Sequence, residues 1–135
     1  MIILYNRIMK WTVTDVREAL GGKLIGKLFM REMVCKTLLL LPQDILEHVC
    51  ATVWFISSPE DAWAFSFRGT EIAKRSLVIL SDDLFTQDEY QISYTILHEV
   101  GHIVLNHRNS IGYQQTQSEI KQQEEQADHF AKKYL

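Results

Sequence analysis

Between Thr95 and Val104 the chain reads Thr-Ile-Leu-His-Glu-Val-Gly-His-Ile-Val, which contains HExxH: two histidines four apart, with a glutamate directly after the first. On a helix, residues four apart stand one above the other on the same face. His98 and His102 can therefore aim imidazole nitrogens at one ion, with Glu99 beside it. Two imidazoles suit Zn²⁺, and the glutamate can activate water bound to the ion. With His98 at the origin of a helical wheel, Ile96, Leu97, Val100, Ile103 and Val104 fall in one arc on the opposite side. That apolar arc would pack on a core and leave the histidines towards a cleft. Gly101 lowers helix propensity by about 1 kcal/mol relative to Ala, a cost that points to something passing close to the helix there and that a mere packing contact would explain too. A chance match on an ordinary helix is the alternative, and this context weakens it.

A chain of 135 residues is a one-domain length with room for a single core. The expectation is one domain over 1–135, mainly helical through residue 50 and carrying a sheet and the metal-site helices from 51 onward. Apolar content of 47% and charged content of 23% are those of a folded soluble protein. A net charge of −3 without a polybasic patch gives no electrostatic reason to expect nucleic acid. The run Leu38–Leu41 is far too short to span a bilayer and stops at Pro42, so no membrane partner is expected. Met1 to Arg7 has no basic region leading into a long apolar segment and does not resemble a signal peptide. Cys35 and Cys50 form no CxxC, and they read as reduced thiols of a cytoplasmic protein.

In chain order, Thr14 to Leu20 reads as a short helix capped by Thr14 or Asp15 and stopped by Gly21-Gly22. Leu24, Ile25, Leu28, Phe29, Met33 and Val34 then stand at helical spacing, which predicts a helix from Lys23 to Leu41 with Lys23, Lys27 and Arg31 on a solvated side. Pro42 ends it, and Gln43 to His48 adds a turn or two. The period then changes. Ala51–Ile56 is β-branched and aromatic, Asp61–Phe67 alternates strictly, and Ser57-Ser58-Pro59-Glu60 between them reads as a turn, so the pair predicts a β-hairpin. Trp63, Phe65 and Phe67 form an aromatic row suited to sheet core. After a break at Arg68-Gly69-Thr70, Ser76–Leu80 is a third, more buried strand. The HExxH helix begins at Asp88 or Ser93 and ends near Asn106, His107 to Tyr113 is a loop, and a long helix runs from Gln117 to Tyr134. The fold class is α+β: a small twisted sheet of three or slightly more strands packed on helices, with the HExxH helix and the C-terminal helix forming a zincin-like metal site.

A catalytic zinc centre usually holds three protein ligands and one water. His107 fits the third place poorly. In HExxHxxGxxH the third histidine would fall at Arg108 and the glycine at Leu105, and on a continued helix His107 projects away from His98. It reads as a surface histidine or one that supports a ligand from behind. The last helix offers Glu124 and Asp128, four apart at one border of a stripe made by Ile120, Ala127, Phe130, Ala131 and Tyr134. A carboxylate ligand at Glu124, with Asp128 hydrogen-bonded to a ligand histidine, uses that geometry. Glu125 and Glu119 are the fallbacks.

HExxH followed by ExxxD on a later helix resembles the gluzincin pattern. In detail Leu77–Ser81, Tyr94–His107 and Glu124–Ala131 resemble the strand, the T-x-x-H-E-x-G-H helix and the E-x-E-A-[ND]-x-F-A helix of the ImmA/IrrE family of metallopeptidases. The chain departs from that pattern at Gln126, where the family has a second glutamate. The resemblance implies His98 and His102 as ligands, Glu99 as base, Glu124 as third ligand, and as substrate one regulatory protein, such as a helix-turn-helix repressor.

The chemistry expected of these residues is peptide hydrolysis by a zinc-dependent endopeptidase. Glu99 takes the proton of the attacking water and delivers it to the leaving amine. Tyr90, Tyr94, Tyr113 and His107 are the candidates for stabilising the oxyanion, and the hairpin or the Leu77–Leu80 strand for the edge that pairs with an extended peptide. Two other readings stand beside this one. A non-hydrolytic module of a phage or toxin–antitoxin pair would keep the fold and act by binding. A deformylase-like centre would need a cysteine ligand, for which Cys50 is the candidate.

Overall fold

The computed structural model describes residues 10–59, 64–67, 75–107 and 114–135, with 64–67 described as backbone. Helix α1 (Val13–Leu20) begins at a capping box. The Thr12 N–H donates to the Asp15 carboxylate at 2.8 Å, and the Asp15 N–H donates to Thr12 Oγ1 at 3.3 Å. The cap is thus Thr12, and Asp15, expected as a cap itself, is its reciprocal partner. Val16 and Leu20, one turn apart, are fully buried. Gly21, at φ 53°, ends the helix and returns its N–H to the Arg17 carbonyl.

The continuous helix expected from Lys23 to Leu41 is divided. Gly21–Lys23 forms a 3₁₀ turn, Leu24–Ile25 forms strand β1, and helix α2 spans Leu28–Leu38. Helical spacing at Leu24, Ile25 and Leu28 yields to a long-range pairing, Leu24 with Phe55 and Ile25 with Ile56. Gly26 makes the divide possible: a Cβ there would lie 2.6 Å from Met30 Sδ and 3.0 Å from Ser57 Oγ. Leu28 and Phe29 consequently face outwards, and Met30, Met33, Val34, Cys35 and Leu38 carry the buried side of α2. Pro42 caps helix α3 (Gln43–Thr52), longer than the turn or two expected, and α3 passes directly into strand β2 (Val53–Ser58).

Strands β3 (Ala64–Phe67) and β4 (Ser76–Ser81) complete a four-stranded sheet of order β1-β2-β4-β3. β2 pairs with β4 in parallel, from Val53 opposite Ser76 to Ser58 opposite Ser81, and β3 pairs with β4 antiparallel. The expected hairpin is therefore absent, because β4 lies between β2 and β3. Val-Trp-Phe-Ile in β2 and Leu-Val-Ile-Leu in β4 are apolar on both faces, the pattern of interior parallel strands. The turn expected at Ser57–Glu60 does not make its flanks partners: Ser57 and Ser58 extend β2, and Glu60 lies outside the described residues. Being interior, the Leu77–Leu80 stretch cannot serve as a free edge. Met1–Arg7, Asp61–Trp63, the break at Arg68–Thr70 and the side chains of Phe65 and Phe67 lie outside the described residues.

One sheet face, carrying Val53, Phe55, Val78 and Leu80, shares a core with Ile92, Ile96, Leu97 and Val100 of helix α4 (Glu89–Val104). Asp88 caps α4 by accepting the Gln91 N–H at 2.8 Å. Thr116 caps helix α5 (Gln117–Tyr134), which buries Ala127, Phe130 and Ala131. The two helices meet at Gly101. A Cβ at that position would lie 3.0 to 3.2 Å from three carbons of Phe130, so the glycine lets α5 close onto α4. Among the described residues, no helix is long and apolar enough to cross a membrane. Gly101→Val is expected to destabilise the fold by about 1–3 kcal/mol through overpacking against Phe130, read from the midpoint of chemical denaturation.

Candidate metal centre

Helix α4 presents four rings at steps of four residues: Tyr90, Tyr94, His98 and His102. Adjacent centroids lie 6.5, 6.0 and 4.8 Å apart. Helix α5 sets Glu124 and Asp128 opposite the histidines, also four apart. His98 Nε2 lies 2.8 Å from Glu124 Oε2, His102 Nε2 lies 3.2 Å from Glu124 Oε1, and the two Nε2 atoms are 3.2 Å apart. Ligand atoms at about 2.0–2.1 Å from a tetrahedral Zn²⁺ stand about 3.3 Å from one another. A small opening of this triangle would seat such an ion. Two imidazoles and one carboxylate, with a fourth direction left for water, are also the donor set of a catalytic zinc centre.

The expected third ligand is thus brought to the pair from a distant part of the chain. Among the described residues, His98, His102 and Glu124 form the one group of this kind. Glu125 turns outwards beside Lys121, and Glu119 is engaged with the Thr116 cap, so neither fallback joins it. Cys50 is also outside the group. It is buried in α3, where burial pushes its thiol up to about 11. The histidine side chains are largely buried, Glu124 is half exposed, and Glu99 is buried next to His98 in sequence.

Behind His98 stands Asp128. Its Oδ1 lies 2.9 Å from His98 Nδ1, off the line of an aligned hydrogen bond, and also accepts the Tyr94 hydroxyl. Burial, with this hydrogen bond adding to it, pushes the Tyr94 phenol up to about 12, so the proton stays on tyrosine. Tyr94 is therefore committed to Asp128 and is not a free oxyanion donor. Tyr90 is well exposed, and Tyr113 lies outside the described residues.

His107 is not where a continued helix would put it. After Val104 the chain turns through Asn106, in the left-handed region at φ 58°. The Asn106 N–H returns to the Ile103 carbonyl at 3.1 Å and the His107 N–H to the His102 carbonyl at 2.9 Å, the two bonds of a Schellman motif. The reversal leaves His107 buried against His102, with their Nδ1 atoms 2.9 Å apart, and its Nε2 is 2.6 Å from Gln126 Oε1. It is not a surface histidine. The available signal was Asn106, among the few residues other than glycine that readily end a helix in this way.

Burial pushes the His102 imidazole down to about 4. The pull of Glu124 opposes this, and the rings of His98 and His102's other neighbour, His107, add to it. A neutral imidazole offers its lone pair at neutral pH. The folded value lies below the 6.5 of the unfolded chain, so the unfolded state binds the proton first as pH falls. Metal-free protein is accordingly expected to keep this contribution to stability above pH 6.5 and to lose it progressively towards pH 4. His102→Gln should flatten that part of the profile, as followed by thermal unfolding across the range.

A family model described as Peptidase U49 matches residues 51–135, from the end of α3 through the sheet to the end of α5. Curated proteins and solved structures give no match. The family match supports a peptidase, the coarser part of the resemblance drawn from the sequence, and does not speak for ImmA/IrrE in particular. The matched span contains His98, Glu99, His102 and Glu124 together, and on it the chain belongs to the Peptidase U49 family.

Proposed function

We propose that this chain is a zinc-dependent endopeptidase with a zincin-like centre, in which His98, His102 and Glu124 hold the ion and Glu99 is the general base. The observation that carries the reading is the approach of Glu124 Oε1 and Oε2 to the two Nε2 atoms at 3.2 and 2.8 Å, from a helix far along the chain, beside an HExxH glutamate. When bound, the ion supplies Lewis-acid chemistry, acidifying water and polarising a carbonyl. The Glu99 carboxylate accepts the proton of the attacking water and returns it to the nitrogen of the leaving amine. Asp128, braced by Tyr94, holds the His98 ring in orientation from behind.

Strand β3 fits the substrate's position. It is the edge of the sheet that runs beside α4, and an extended peptide added to it would gain main-chain hydrogen bonds next to the centre. The substrate class is a protein, and the sequence resemblance suggests a regulatory one such as a helix-turn-helix repressor. The free, buried Cys35 and Cys50 fit a reducing compartment such as the cytoplasm.

Glu99→Gln is expected to keep one zinc per chain and lower peptide hydrolysis by about 10²–10⁴-fold. Glu124→Ala and His98→Ala should lose the metal together with activity. The measurements are elemental analysis and cleavage of a quenched-fluorescence peptide library. A Glu99→Gln protein that cleaves like the parent, or a parent that takes up no divalent ion, would sink the proposal.

A further inference from the structure

We propose that His107 and Gln126 form a neutral relay that fixes the tautomer of His102 and so decides which of its nitrogens can serve as a ligand. The inference rests on the reading of His102 as a metal ligand through Nε2, the atom that faces His98 and Glu124. If Nε2 offers its lone pair, the proton of this neutral ring is on Nδ1. Nδ1–H needs an acceptor, and the atom in reach is His107 Nδ1 at 2.9 Å. His107 then carries its own proton on Nε2, which donates to Gln126 Oε1 at 2.6 Å. One assignment fixes both donors.

With both rings neutral, the relay has one other self-consistent state, its mirror. With the Gln126 amide turned so that its NH₂ points inwards, His107 Nε2 accepts, His107 Nδ1 donates to His102 Nδ1, and the His102 proton moves to Nε2. That state closes His102 to the metal. Mixed arrangements set donor against donor or lone pair against lone pair. With Gln126 Oε1 facing His107, the relay stands in the ligand-ready state. A carboxylate at position 126 can only accept when ionised, so with both rings neutral it would permit only that state.

The backbone has the same bias. Asn106 in the left-handed region and the His107 N–H bonded to the His102 carbonyl join the same two residues a second time. In a Schellman motif the two residues so joined commonly make an apolar side-chain contact. Here that place is taken by two imidazoles, and the helix end itself delivers the acceptor to the ligand. His107 is buried, so an outer water is a poor substitute for it. His107 and Gln126 are positioning residues that touch the ligand and not the ion.

The test uses the full chain loaded with Zn²⁺ or Co²⁺. Nitrogen-15 NMR of the zinc form should find His102 protonated on Nδ1 and His107 on Nε2. Gln126→Leu and His107→Phe should each weaken zinc, in competition with a chelator, by about 10–100-fold and shift the Co²⁺ ligand-field bands. Gln126→Glu should restore affinity to the parent level or better and restore the Co²⁺ spectrum. Should His107→Phe fail to fold, the two substitutions at Gln126, which lies on the exposed side of α5, carry the comparison. Parent-like affinity in Gln126→Leu, or a zinc form with His107 protonated on Nδ1, overturns the relay and leaves the metal centre intact. A parent chain that binds neither ion overturns the centre and the relay together.

Discussion

The close approach of α5 to α4 is the constraint on which the rest of this molecule depends. HExxH supplies two imidazoles on one helix, but one helix cannot surround an ion. The remaining donors must come from another element at a fixed height and rotation. That element is α5, and what fixes it is the seating of Phe130 against Gly101, one residue before His102. Glu124 and Asp128 stand about two and three turns into α5, with Phe130 just beyond them. Once the ring is seated, the carboxylates have little freedom in register along α4. The glycine that weakens α4 as an isolated helix therefore determines where the third donor arrives.

The difference between what was legible in the sequence and what was not follows the range of the interactions. α5 was readable nearly to the residue and α4 with its start open between Asp88 and Ser93, because their apolar stripes are encoded within a few turns. Glu124 and Asp128 were readable as well, since four-residue spacing next to a buried stripe is local information. The sheet was not. Val53–Ser58 and Ser76–Ser81 pair across a stretch that carries another strand, and no nearby residue states that pairing. The turn at Ser57–Glu60 invited the shorter connection. Likewise Leu24 and Ile25 follow helical spacing but are claimed by Phe55 and Ile56. In both places a long-range ladder overrode a sound local signal.

The choice between the two readings of His107, a surface histidine or one behind a ligand, was closed to the sequence for a different reason. Its environment depends on one dihedral angle, at Asn106, and a wheel drawn through the end of the helix cannot represent the reversal. Gln126 was noted as a departure from a family pattern, but its partner was invisible until that reversal placed it. The residues of the proposed ligand set were thus easier to read than those that support them. Ligands repeat with the helix period, whereas supporting contacts cross from one element to another.

The two ligand histidines are backed by different chemistry, and the difference bears on the charge of the proposed centre. His98 faces a carboxylate, Asp128, whose charge strengthens the imidazole as a donor, and the Tyr94 hydroxyl tempers that carboxylate by donating to it. His102 faces the His107 imidazole, which ends on the Gln126 amide. Three carboxylates, Glu99, Glu124 and Asp128, already stand at the proposed centre. A fourth, placed behind His102, would add further negative charge and pass more electron density to the metal, reducing its pull on a water or a carbonyl. A neutral relay orients His102 without that penalty. Fixing a ligand's geometry and fixing the electron demand of the ion are separate requirements, and the asymmetric backing of His98 and His102 is a way to meet both within two helices.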